Sequence, residues 1–310
     1  MSLKVGVVRG GISPEYQVSL STGQAILKAI KELAHDADDV VITKDGDWIN
    51  RGLSASAQKI CQKNDVIWNC LHGEYGEDGK FEDQISGLGA KIIGKTGWGS
   101  ALTLNKDSAK RHAENYGFPD FPHIVIKPED KERARKVHNT FSGPWIIKPL
   151  KGGSSLGINV AKSFPELEQK LSDIEIEVIV EPFYKGREII VGVVPELRGK
   201  KWYSTIVLEL KKDGHILSYD DLEKGEYRLL PLKDYGIEQK HALSEMAELV
   251  GDVFGLNYMY LTQWIETPRG YFLIDIDALP ALDDNSIFIK SAEHSGVNLK
   301  EIVENILKNI

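Results

Sequence analysis

The chain predicts an α/β protein in which an N-terminal doubly wound parallel sheet precedes two α+β regions. Three observations carry this. The first hundred residues alternate β-branched runs with helical patterns, turn-rich loops follow the early strands, and later strands crowd together with few helices between them. Residues 3–8 form an apolar run that reads as a buried strand, with Gly10, Gly11, Ser13 and Pro14 as the loop after it. Residues 19–33 read as a helix with Ile26, Leu27, Ile30 and Leu33 on one face. Residues 40–42, 66–70 and 91–93 read as strands, and 81–88 as a short helix. In open parallel sheets ligands bind beyond the carboxyl ends of strands, where the loops 10–13 and 71–80 leave.

The texture changes near Ser100. A helix over 101–116 leads to strands at 145–148, 157–161, 178–181 and 188–194, with one helix at 164–172 among them. Beyond lie a strand at 202–210, a helix at 238–254, strands at 259–265 and 271–276 around a turn, and a last helix at 299–310. These shifts divide the chain into 1–104, 105–186 and 187–310.

Composition narrows the partners. A net charge of −8 over 310 residues argues against a general nucleic-acid binder, which needs a basic surface. No apolar run approaches the ~20 residues of a membrane span. Cys61 and Cys70 stand outside any CxxC pattern and read as buried or incidental thiols. Low cysteine usage and the lack of a basic, then apolar, leader predict a cytoplasmic protein.

The chemistry starts at WIIKPLKGGSSLG, 145–157. Lys148 ends an apolar strand, so its stem packs while its ammonium reaches a cleft. Gly152, Gly153, Ser154 and Ser155 follow; glycines let backbone N–H groups gather around a polyanion, and the hydroxyls add donors. The segment reads as a grip on the phosphates of ATP, the bland alternative being a flexible turn beside a surface lysine. Lys106 is a second candidate phosphate clamp. Glu181, Phe183, Tyr184 and Glu188, at 180–188, offer a carboxylate and aromatic walls to a purine, or form an aromatic plug at a strand end. Asp275 and Asp277 alternate with Ile274 and Ile276, so both carboxylates share one strand face. Two such carboxylates beside a polyphosphate make a magnesium site, or else a solvent-facing acidic edge. Glu15, His72 and Glu77 lie in the loops at the carboxyl edge of the first sheet.

The order GGxSxE…VS at 10–19, LHGxxGEDG at 71–79, KPxxxGSSxG at 148–157, VExxxxGRE at 180–188, then an acid pair before Leu279-Pro280 and Ser286, resembles the D-alanine–D-alanine ligase family of the ATP-grasp superfamily. The resemblance spans nearly the whole chain. It implies an ATP-grasp fold with 1–104 as the domain preceding the grasp, 105–186 as the lid subdomain and 187–310 carrying catalytic and metal residues. It implies a ligase that joins two D-alanines through an acyl phosphate for peptidoglycan precursors, with ATP and Mg²⁺ or Mn²⁺, and a homodimer. By the same resemblance Glu15 would hold the first substrate's ammonium and His72, with Glu77 nearby, its carboxylate. Lys106, Lys148, Ser154 and Ser155 would meet phosphates, and Glu181, Phe183, Tyr184 and Glu188 the adenosine. Asp275 and Asp277 would hold metal, and Ser286 would lie near the second substrate.

Some positions depart from that pattern. Counting back from Asp275 puts Tyr260 and Thr262 where the family carries an arginine and an aspartate. Tyr260 would then be the oxyanion donor, with one hydrogen bond in place of a guanidinium fork; losing such a donor can cost ~10²–10³ in rate. Asp275 and Asp277 replace Glu and Asn, and Ala281 replaces Gly. In the lid, 218–232, Lys224, Tyr227 and Arg228 are candidate closing residues. These departures keep two other readings open: a ligase for a different amino-acid or hydroxy-acid acceptor, and a nucleotide-binding homologue with weak or no ligase activity.

Overall fold

The computed structural model describes residues 2–94, 97–212, 214 and 216–310. Strand β1 (Lys4–Gly10) occupies the middle of the first sheet because its apolar run is buried on both faces, with Val5, Val7 and Val8 fully covered. It pairs in parallel with β2 (Asp36–Ile42) on one side and β5 (Val66–Asn69) on the other, and β5 pairs in parallel with β6 (Lys91–Ile93). A hairpin of β3 (Trp48–Asn50) and β4 (Leu53–Ser54) adds two antiparallel strands at the β2 edge, giving the order β4-β3-β2-β1-β5-β6. The parallel core matches the sequence reading; the antiparallel hairpin is an addition to it. Helices α1 (Tyr16–Glu32), α2 (Ala57–Lys63) and α3 (Lys80–Ile85) complete this region. Helix α1 buries Ile26, Leu27 and Ile30, each contributing about 1.5–3 kcal/mol.

The expected helix over 101–116 is two helices, α4 (Gly97–Leu104) and α5 (Lys106–Asn115). Asn105 breaks them: its side chain accepts a hydrogen bond from the Ser108 N–H, and its backbone bridges Lys151. The Lys106 N–H donates to the Leu150 carbonyl. The break therefore fastens the start of α5 to the chain entering the glycine-serine loop.

The second sheet is antiparallel, in the order β7 (Ile124–Ile126), β10 (Val178–Pro182), β8 (Trp145–Pro149), β9 (Asn159–Ala161), with α6 (Arg133–Thr140) and α7 (Phe164–Ser172) packed together beside it. The third runs β14 (Tyr227–Pro231), β13 (Leu208–Lys212), β11 (Arg187–Pro195), β15 (Tyr260–Thr267), β16 (Gly270–Asp277), again antiparallel, with β12 (Trp202–Ser204) also on β11. The expected strand over 202–210 is thus two strands. Helices α8 (Tyr219–Lys224), α9 (Ile237–Phe254), α10 (Ile287–His294) and α11 (Leu299–Lys308) accompany this sheet.

One core joins the first and third sheets: Val5, Val7, Ile26 and Ile30 share a cluster with Ile190, Leu208, Phe288 and Val303. Trp68 donates through Nε1 to the Tyr258 hydroxyl across it, at 2.9 Å. Among the described residues no helix is long and apolar enough to cross a membrane.

Helix α4 approaches α9 closely at Gly99, where an added Cβ would stand 1.9 Å from the Phe254 carbonyl oxygen. That neighbour is backbone and cannot rotate away. Gly99→Ala is expected to lower stability by about 1–3 kcal/mol, read from the denaturant midpoint of unfolding.

Candidate active site

A cavity of about 350 Å³ opens where the three sheets meet. Glu15, His72 and Glu77 reach it from the first sheet, Lys148 and Gly152–Ser155 from the second, and Glu188, Lys212, Asp275, Asp277 and Ser286 from the third region. Lys106 enters it from the start of α5.

The first sheet fixes its loops through buried hydroxyls. Ser19 accepts from the Gly10 N–H and donates to the Cys70 carbonyl, both at 2.7 Å. Ser13 donates to the His72 carbonyl at 2.6 Å. Glu15 stands at the N-cap position of α1, yet its side chain does not cap the helix. Its carboxylate turns across the cavity and accepts from the Ser154 hydroxyl at 2.5 Å and the Gly153 N–H at 3.3 Å. The loop it holds takes positive φ at Gly152, Ser154 and Ser155, +100°, +50° and +56°, which strains the two serines. Non-glycine residues take such angles rarely and at a cost. The Lys106 ammonium donates to the Gly152 carbonyl at 2.5 Å, so the two ends of the loop are held by opposite charges.

The lysines of the cavity are paired. Lys148 and Glu181 share a face of β8–β10, offset by two positions in the ladder, and their charged groups meet at 2.7 Å. Lys212 meets both oxygens of Glu188, at 2.7 and 2.8 Å. Carboxylates also crowd the cavity. Burial pushes the Asp277 carboxyl up to about 7, and nearby Asp275 and Glu15 add to this while the Leu279 N–H and Lys106 oppose it. Burial, then Glu15 and Asp277, likewise raise Glu77 well above its usual range, although it accepts from the Gly73 N–H. Burial lowers the basicity of His72, against the pull of Glu15 and Asp283. His72 lies 3.1 Å from the Thr22 hydroxyl and 3.9 Å from Glu77.

Asp275 and Asp277 fit a divalent cation. Both line the cavity from alternate positions of β16, and a cation there would offset the burial, and the repulsion from Asp275 and Glu15, that raise the Asp277 carboxyl. Among the described residues no group of three or more His, Cys, Asp or Glu side chains is arranged around a metal position, so other ligands would come from a bound polyphosphate.

Several expectations need correction. Tyr260 does not reach the cavity. It is fully buried on the α9 side of the third sheet, where its hydroxyl donates to the Ala247 carbonyl and accepts from the Gly251 N–H. Thr262 points the same way, donating to the Val191 carbonyl. The reason is register: a bulge between Gln263 and Trp264 leaves Gln263 opposite Asp275 and Leu261 opposite Asp277. Leu261 and Gln263 are the residues of β15 that line the cavity. Phe183 and Tyr184, expected to wall a purine, do not line it. The Tyr184 ring stacks on Phe121 at 3.8 Å, and Phe121 stacks on Phe272 at 4.3 Å, so the plug reading holds for Tyr184. Glu181 lies behind Lys148, outside the lining. Ser286 lines the cavity and caps α10, its oxygen accepting from the Ile289 N–H. In 218–232, Tyr219 lines the cavity, whereas Lys224, Tyr227 and Arg228 do not; Tyr227 donates instead to the Asn285 carbonyl. Lys212 and Tyr219 are additions to the site. Lys212 was signalled by alternation with Leu208 and Leu210.

The family model described as "D-ala D-ala ligase C-terminus" matches residues 113–308. The chain belongs to the D-alanine–D-alanine ligase family. It is 28% identical to the D-alanine--D-alanine ligase of Aquifex aeolicus, over 98% of this chain and 100% of that one. It is 28% identical to that of Geobacter sulfurreducens, over 98% and 93%. Among solved structures it resembles the D-alanyl-alanine synthetase A of Vibrio cholerae, with a TM-score of 0.81 at 20% identity over 99% of this chain and 98% of that one. It resembles the VanG D-Ala:D-Ser ligase of Enterococcus faecalis with a TM-score of 0.78 at 21% identity, over 99% of both. The fold is that of the ATP-grasp ligases.

Glu77 binds its proton more tightly folded than unfolded. It therefore favours the folded state below the ordinary carboxylate range and loses that contribution as pH rises through its elevated folded value. Glu77→Gln keeps an oxygen for the Gly73 N–H without the charge. Thermal unfolding of ligand-free protein should show the variant melting above the parent at pH 8, with the gap closing as pH falls toward 5.

Proposed function

We propose that this chain is an ATP-dependent ligase that joins two D-alanines, forming ADP and phosphate. The single observation that carries the reading is the convergence on one cavity of Lys148, the Gly152–Ser155 loop, the Asp275–Asp277 pair and Glu15. A carboxylate cannot be attacked by an amine without expelling oxide. Phosphorylation converts that oxygen into a phosphate leaving group, and the amine then adds through a tetrahedral oxyanion.

The residues divide this work by charge. Lys106 and Lys148 neutralise phosphates, with N–H groups of the glycine-serine loop beside them. Glu15 receives the ammonium of the first D-alanine, and His72 orients its carboxylate. Ser154, already hydrogen-bonded to Glu15, sits between that amino acid and the phosphates. Ser286 offers a hydroxyl proton to the second amino acid's carboxylate. Glu188 and Lys212 mark the nucleoside side. A divalent cation held by Asp275 and Asp277 would supply charge neutralisation for the polyphosphate.

A second reading, a ligase for another amino-acid or hydroxy-acid acceptor, is favoured by Ala281 and Asp283 in the cavity lining. Opposite Asp277 and Asp275 the lining carries Leu261 and Gln263, neither of them charged.

Purified protein with ATP, Mg²⁺ and D-alanine should release phosphate and form D-alanyl-D-alanine. Lys148→Ala should reduce kcat/KM by about 10²-fold or more. Phosphate release with a panel of other acceptors and none with D-alanine alone would move the assignment to the second reading. No turnover with any acceptor would remove both.

A further inference from the structure

Behind Lys148 lies a buried chain of charges that the reading above does not use. Glu181 is met by two ammonium groups: Lys148 at 2.7 Å and Lys110 at 2.8 Å. Lys110 also meets Asp120 at 2.5 Å, Asp120 meets His123 at 3.1 Å, and His123 meets Asp107 at 3.0 Å. Arg111 closes the outer end on Asp107. Lys110, Glu181 and Asp120 are each almost wholly buried. Burial alone would raise the Glu181 carboxyl, but Lys148 and Lys110 hold it down, to about 2.

The two lysines differ in what lies on their other side. Lys148 lines the cavity and Lys110 does not. Lys148 can turn to an incoming anion, whereas Lys110 is tied to Asp120 and, through it, to His123. If Lys148 were the sole partner of Glu181, drawing it toward a phosphate would strand a buried carboxylate, a costly state. A second, fixed cation removes most of that cost.

We propose that Lys110 is a positioning residue that holds the charge of Glu181 and so frees Lys148 to bind phosphate. In this arrangement Glu181 and the incoming polyphosphate compete for Lys148, and Lys110 sets the outcome. The proposal rests on the reading of the cavity as an ATP site. It adds that Lys148 is neutralised by Glu181 before ATP arrives and exchanges one anionic partner for another.

The test uses inorganic tripolyphosphate, which carries the phosphates without a nucleoside, titrated calorimetrically into the full chain beside ATP. Glu181→Gln should bind tripolyphosphate about tenfold more tightly, because Lys148 loses its competitor. Lys110→Met should bind it about tenfold more weakly, because Glu181 then holds Lys148 alone. Lys110→Arg should stay near the parent, and the Lys110→Met, Glu181→Gln double variant should return to the affinity of Glu181→Gln. Opposite signs from two substitutions in one buried cluster are not produced by a merely structural role, since both would loosen the fold. Should Lys110→Met fail to fold, Glu181→Gln and Lys110→Arg decide. A parent that binds tripolyphosphate and ATP, with Glu181→Gln no tighter for tripolyphosphate, overturns this proposal alone. A parent that binds neither overturns the ATP-site reading as well.

Discussion

The cavity depends on one contact, the reach of Glu15 from the first sheet to Ser154 and Gly153 on the loop of the second. Its carboxylate leaves the end of α1 uncapped and crosses to another region of the chain. Two donors there, one a backbone N–H, hold a loop whose serines take left-handed backbone angles. Such a loop needs outside partners to stay in that shape. Lys106 supplies the opposite pull on Gly152, and the helix break at Asn105 puts Lys106 in place. Thus α1, α5 and the strand pair β8–β9 are coupled through a few polar atoms rather than a shared apolar core.

Charge is the second constraint. Glu15, Glu77, Asp275, Asp277 and Asp283 line the cavity together with Lys106, Lys148 and Lys212. Burial without enough cations keeps Glu77 and Asp277 inclined to hold protons. The lysines meanwhile sit on carboxylates of their own or on a loop carbonyl. A cavity so arranged is prepared for a ligand that brings both signs of charge, a polyphosphate with a cation. This is why ligand binding and the internal ion pairs cannot be treated separately.

Much of this was legible in the sequence, and for a common reason. Glu15, His72, Lys106, Lys148, Ser154, Ser155, Glu188, Asp275, Asp277 and Ser286 all line the cavity, because each lies in or beside a loop or strand end whose direction follows from local pattern. What escaped depends on distant contacts. The run LTLNKDSAKR reads as unbroken helix, and it is divided where Asn105 caps the second helix and bridges the distant Lys151. Tyr260 and Thr262 were placed by counting, but a bulge shifts the ladder by one residue and flips the faces, so Leu261 and Gln263 take their place. Tyr184 has the composition of a purine wall, yet Phe121, itself stacked on Phe272, takes its ring from elsewhere in the chain. Lys110 gave no signal because its partners Asp120 and Glu181 converge only in three dimensions.

The central claim is that ATP activates a carboxylate in this cavity. The most direct measurement follows an oxygen atom: D-alanine labelled with ¹⁸O in its carboxylate is turned over with ATP, and the released phosphate is analysed by mass. Attack of the carboxylate on the terminal phosphate, followed by displacement by the second amine, must leave one labelled oxygen in each phosphate. Phosphate free of label, with its new oxygen drawn from water, would mean simple ATP hydrolysis and would contradict the account.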